Sequence, residues 1–209
     1  MAHYVVFFAL LLVTSALEAF KEGSGMAETP AQEGAIHRRY HADCEEAINR
    51  QINTELKASY MYKAMAYHFD RRDISLSSFR DFFMGLSKEG QERAEKLMHY
   101  QNKRGGKLVY YPIDAPKRSR FKSGLDAMET ALVFEKKVYA TLLDMHTIAG
   151  KRSDPHLQHF LDKDFLKERV ESIRQIGAYA TLLENVESER LGEFQFDVHG
   201  FARARPRDF

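Results

Sequence analysis

The sequence has almost no cysteine: Cys44 is the only one in 209 residues. An internal disulfide is therefore excluded. In a secreted chain a lone cysteine is expected either to pair between subunits or to sit as a small residue on a helix. No Asn-x-Ser/Thr sequence occurs, so N-glycosylation is not expected. Internal repeats, low-complexity tracts and glycine-rich phosphate loops are also missing. Charge of one sign is not in excess: 31 Lys and Arg stand against 30 Asp and Glu, a formal net charge of +1. That balance argues against a dedicated nucleic-acid binder. Beyond the N-terminal stretch, nothing approaches an apolar run long enough to span a membrane.

Apolar residues make up 44% and charged residues 29%. A soluble globular chain with one core of ordinary size is expected. The first 19 residues read differently. An apolar run, Val5–Val13, is followed by small residues near Ala16 and Ala19. This is the pattern of a secretory signal peptide, although its n-region has no Lys or Arg. The run is too short for a comfortable membrane span. Residues 20–37 read as a flexible arm, 38–200 as the folded unit and 201–209 as a tail. Secretion is expected, with no membrane attachment once the signal is removed.

Four long helices follow from the spacing of apolar residues. In the first, Ile48, Ile52, Glu55, Ser59, Tyr62 and Ala66 share a stripe that ends near Tyr67. In the second, from about Leu76 to Asn102, Phe79, Phe82, Phe83, Leu86, Gly90, Ala94, Leu97 and Met98 line one side. Gly105 and Gly106 stop it. The third starts near Ser123, with Asp126 placed for a capping box, and carries Leu125, Met128, Leu132, Glu135, Tyr139 and Leu142. Asp154 and Pro155 open the fourth, whose stripe holds Phe165, Leu166, Arg169, Ile173, Ile176 and Ala180. A short fifth helix is expected over 191–199. Each long helix has about 27–31 residues, or roughly 40–46 Å. The connections run short, long, short. The fold class is therefore all-α: a four-helix bundle with one long crossover, the second and third helices parallel. The alternative, a helical array, lacks the repeat it needs.

Charged residues interrupt the apolar stripes. Glu55 lies seven residues from both Ile48 and Tyr62, and Glu135 lies between Leu132 and Tyr139. A buried carboxylate is costly unless paired or metal-bound. Diiron bundles meet this need with carboxylates and Glu-x-x-His pairs on facing helices. Here the matching turn reads Gly90-x-x-Arg93. Glycine offers no ligand, and arginine has no lone pair to donate. Arg169 adds a second cation on an inward stripe. Two inward glutamates can thus meet two inward arginines, with Tyr62 hydrogen-bonded to the group. The alternative leaves the glutamates at the stripe edge in solvent, with the arginines snorkelling outward.

The chain resembles animal ferritins. The resemblance is carried by EEAINRQINTELKASYMY (45–62), ERAEKLMHYQNKRGG (92–106), GLDAMETALVFEKKV (124–138) and DPHLQHFLDKDFL (154–166). It covers roughly 38–200, including every helix and the crossover. It implies a hollow 24-subunit shell storing ferric oxyhydroxide. The shell would be a homo-oligomer or a mixture with ferroxidase-competent subunits. Iron is the implied cargo, Fe(II) in transit and Fe(III) in mineral, with no organic cofactor and no nucleic-acid partner. LVYY (108–111) would lie between paired subunits, and the short last helix, with Gln195 and His199, would line four-fold pores. Of the ferroxidase positions, Glu55, Tyr62 and Glu135 are retained. Gly90 replaces the bridging glutamate, Arg93 the histidine and Arg169 the glutamine. The resemblance therefore implies an impaired centre, like that of light-chain subunits, within a heavy-chain-like sequence. Glu89, Glu92 and Glu95 match or neighbour the inner-surface carboxylates of mineral nucleation. His146, His159 and Asp162 occupy the region of the three-fold channel. His159 stands where an aspartate is expected and would make that channel less negative and pH-sensitive. Two other readings are an active ferroxidase with a remodelled site and a yolk-type extracellular iron store.

Overall fold

The computed structural model describes residues 40–186 and 189–201. The expected signal peptide, the arm and all of the tail but Phe201 lie outside the described residues. Three long helices come first: α1 (Ala42–Phe69), α2 (Ser77–Lys103) and α3 (Gly124–Lys151). The fourth rod is made of α4 (Pro155–Leu161), a π-helical turn (Asp162–Leu166) and α5 (Lys167–Glu184). A short α6 (Glu189–Gln195) runs into a second π-helical turn (Phe196–Gly200). Among the described residues no helix is long and apolar enough to cross a membrane.

The caps explain where the helices start. Ser123 accepts a hydrogen bond from the Asp126 amide, and Asp154 accepts one from the Leu157 amide. The Asp126 carboxylate reaches back to the Lys122 amide, one residue short of a true capping box. No local side chain caps α2. Asp197, from the far end of the chain, accepts from the Ser78 and Phe79 amides instead, at 2.8 and 2.9 Å. A carboxylate there also meets the positive end of the α2 dipole.

The π turn in the fourth rod has a sequence cause. Leu157, Leu161, Phe165 and Arg169 are all buried, at steps of four. On an ideal helix each such step drifts by about 40°, so three steps would swing the stripe out of the core. One extra residue in a wide turn restores the register.

Helix directions follow from end-to-end contacts. Glu45 of α1 meets Gln101 of α2, so these helices are antiparallel. Phe79 of α2 lies against Gly124 of α3, while Arg104 at the α2 end bonds Asp154 just after α3. The second and third helices are therefore parallel, as the long crossover requires. That crossover returns along α1: Asn49 bonds Lys107 and Val109, and Asn53 bonds Tyr111 and Pro112. Val109, Tyr110 and Tyr111 remain exposed. Two apolar clusters fill the bundle. One gathers Phe69, Phe79, Phe83, Met128 and Ile176; the other gathers Cys44, Ile48, Leu97, Leu142 and Phe165. A polar group sits between them.

Candidate metal centre

Four elements each send one charged side chain into the bundle. Glu55 comes from α1, Arg93 from α2, Glu135 from α3 and Arg169 from α5. Both glutamates are 0% exposed, and the arginines are 2% and 6% exposed. The glutamates are therefore inward, not at a solvated stripe edge.

Arg169 bridges the two acids. Its Nη1 donates to Glu135 Oε2 at 2.6 Å, and its Nη2 donates to both Glu55 oxygens at 2.8 Å. Arg93 Nε donates to Glu55 Oε2 at 3.2 Å, and its Nη1 donates to Glu89 at 3.2 Å. Gln51 donates to Glu55 Oε1 at 3.0 Å. The Tyr62 hydroxyl donates to Glu135 Oε1. Thr141 in turn donates to the Gln51 carbonyl oxygen at 2.8 Å, fixing its amide orientation.

The hydrogen bonds decide what Glu55 can do. A carboxylate offers about four lone-pair directions. Glu55 receives one bond from Gln51, two from Arg169 and one from Arg93. No acceptor direction is left for a cation unless a donor moves. Charge points the same way. Burial alone would lower the Arg169 pKa, but Glu55 and Glu135 raise it above its ordinary value. Arg169 is thus a fixed positive charge. Burial, then the Glu135 charge, raises the Tyr62 pKa well above the ordinary phenol value. Two carboxylates facing two guanidiniums neutralise each other without metal.

The turn that carries Gly90 and Arg93 is tightly packed. A Cβ on Gly90 would stand 3.2 Å from the Glu55 carbonyl oxygen and the Ser59 amide nitrogen. The backbones of α1 and α2 meet closely there, helped by the buried Ser59–Ser87 hydroxyl pair at 3.1 Å. Arg93 keeps one buried donor, Nη2, without a partner among the described residues. The same side chain borders a cleft of about 540 Å³ with Glu89, Glu92 and Glu168.

A family of known proteins matches the chain over this bundle. The ferritin-like domain matches residues 45–186. The chain belongs to the ferritin family. It is 44% identical over 169 residues to the ferritin middle subunit of Salmo salar, covering 80% of this chain and 96% of that one. It is 48% identical over 160 residues to the soma ferritin of Lymnaea stagnalis, covering 77% and 91%. Family membership carries an association with iron and a role in its storage.

The other candidate residues of this ferritin lie apart from the buried group. Glu89, Glu92 and Glu95 are exposed on α2, and only Glu89 is tied to the network through Arg93. His146 Nε2 stands 3.3 Å from Asp162 Oδ1, bringing α3 to the π turn. His159 is exposed one turn before Asp162. Among the described residues no three His, Cys, Asp or Glu side chains converge to hold a metal ion. Sequence reasoning missed Gln51, Thr141 and Ser87. The spacing of Gln51 and Glu55, four residues apart on one helix face, was the available signal for the first. Cys44 is fully buried, and burial, then the Asp154 charge, raises its thiol pKa.

Proposed function

We propose that this chain is a light-chain-like subunit of a secreted 24-subunit ferritin shell. It supports the shell and mineral growth while leaving rapid iron oxidation to other subunits. The observation that carries this reading is the saturated Glu55 carboxylate, bound by two guanidiniums and an amide. A diiron reaction needs two metals held close together by ligands with free lone pairs. Glu55 spends its own on Arg169, Arg93 and Gln51, and Glu135 gives one oxygen to Arg169 and the other to Tyr62. Gly90, opposite, has no side chain to bridge with.

Iron is then substrate and cargo. Fe(II) would arrive through the channel region of Asp162, where His159 stands in place of an expected carboxylate and His146 lies 3.3 Å from Asp162. Exposed Glu92 and Glu95 would hold ferric ions on the inner surface. Glu89 contributes less because Arg93 holds it. The N-terminal apolar run with its small-residue sites supports secretion.

The test is rapid mixing of the purified homogeneous shell with Fe(II) and oxygen. The expected trace lacks any fast oxidation phase stoichiometric with subunits. Such a phase would overturn the reading in favour of a remodelled ferroxidase.

A further inference from the structure

A basic face lies at one end of the bundle, away from the buried centre. Arg71 and Arg72 follow α1, and Lys117, Arg118, Arg120 and Lys122 fall within six residues of the crossover. Packing joins the two segments. The Phe121 amide donates to His68 Nε2 at 3.4 Å, and their rings are 5.4 Å apart. The Arg118 guanidinium stacks over Phe121 at 4.9 Å. Asp73 pairs with Arg71, and Asp126 pairs with Arg118. Among the described residues no carboxylate forms an ion pair with Arg72, Lys117, Arg120 or Lys122, which are all exposed. Arg72, Lys117 and Arg120 are therefore held in no ion pair, while Lys122 shares the Asp126 charge and a pocket with Asp73 and Glu193, on a chain whose net charge is +1.

We propose that this face docks a linear sulfated polysaccharide. The chemistry selects that partner among polyanions. Single-stranded nucleic acid needs exposed aromatic platforms, but Phe121 is 7% exposed and spent on His68 and Arg118. A duplex reader needs a helix or ribbon to enter a groove, and 117–122 is irregular before α3 begins. Stable membrane attachment needs a second signal besides a basic patch, such as inserted apolar side chains, and this segment exposes none. A sulfated glycan needs only cations spaced along an open strand. Lys117 to Lys122 spans at most about 17 Å when extended. Repetition of the face over a shell multiplies its effective concentration. The choice of an extracellular polymer rests on the secreted reading above. Binding is measured on purified protein, so its failure is separable from a failure of secretion.

Purified assembled protein is applied to immobilised heparin, and affinity is followed against salt. Wild type should be retained at physiological salt and released as salt rises. Lys117→Gln/Arg120→Gln/Lys122→Gln should bind at least tenfold more weakly. Lys136→Gln/Lys137→Gln/Lys151→Gln removes equal charge from exposed positions on α3 and should bind as wild type. Equal loss in both variants would mean diffuse charge and overturn the proposal. Equal affinity of wild type for duplex DNA or phosphatidylserine vesicles would overturn the choice of partner. A second measurement needs no variant: heparin should protect Lys117 and Lys122 of the wild type from acetylation, and absence of protection would overturn the site.

Discussion

At the scale of single residues, Arg169 is the decisive one. It is a permanent cation placed between two buried acids, and both acids depend on it. Replacing it by methionine keeps much of the volume and removes the charge. Two carboxylates would then remain buried with only Arg93, Gln51 and Tyr62 around them. Breaking a buried pair in this way costs about 3–5 kcal/mol. Guanidinium denaturation of Arg169→Met should show a midpoint lowered accordingly, at unchanged slope. Cys44 gives a second test. Its thiol is fully buried and its pKa is raised, so the thiolate that reacts is both scarce and sealed. Folded protein should not react with a thiol reagent and should not form cross-linked dimers on non-reducing gels. Denatured protein should react once per chain. The tyrosines set an alkaline limit. Burial raises Tyr100 from 10.0 to about 12, with Arg104 opposing. The neutral phenol is favoured in the folded state. Its contribution is fully present below pH 10 and is lost as pH rises toward 12. Tyr62 and Tyr40 shift the same way, chiefly through burial. Phenolate absorbance from these three should appear only as the helical signal falls.

At the scale of elements, Gly90 sets the separation of α1 and α2. Alanine in a helix interior normally gains roughly 1 kcal/mol over glycine. Here the new Cβ would press on the Glu55 carbonyl oxygen and the Ser59 amide nitrogen, backbone atoms that cannot rotate away. The helices must part by a few tenths of an ångström, loosening the Ser59–Ser87 contact. Gly90→Ala should therefore lower the thermal midpoint despite its better propensity. A raised midpoint would show that the helices separate freely. Much of this bundle was legible in the sequence. Apolar spacing placed the four long helices, and the long crossover fixed the parallel pair. The inward turn of Glu55 was readable from its phase with Ile48 and Tyr62, both buried, whereas the inward readings of Glu135, Arg93 and Arg169 stood beside a solvated alternative that only the packing excludes. Other features were not legible. The π turn follows from a drift in the buried stripe that local propensity does not register. Asp197 capping α2 joins residues far apart in sequence. Leu132 and Tyr139 sit only half-buried, while Ala131, Val138 and Tyr179 take core places, because packing partners rather than periodicity chose among neighbouring positions.

At the scale of the whole molecule, the same neutral network determines what a shell of these chains would do with iron. Each bundle would be structurally complete without metal, so assembly and oxidation become separable. Exchanging both guanidiniums for potential ligands, as in Arg93→His/Arg169→Gln, frees lone pairs on Glu55 and Glu135 and removes two repelling charges. It places no carboxylate at Gly90, and the close backbone contact there resists adding one. This double variant should bind a divalent cation more tightly than wild type in equilibrium titration. Its fast oxidation phase in rapid mixing should remain far below one turnover per subunit. Adding Gly90→Glu should restore that phase only if α1 and α2 separate enough to admit the side chain, which crystallography of the triple variant would show directly. Heavy-chain-like rates in the double variant would mean that the arginines alone silence the centre. In shells co-assembled with ferroxidase-competent subunits, the initial rate should rise in proportion to the competent fraction, with no contribution from this chain. A rate per competent subunit that grows with the content of this chain would instead locate its effect in mineral nucleation at Glu92 and Glu95. Substituting those two glutamates with glutamine should then abolish the gain while leaving the first oxidation event unchanged.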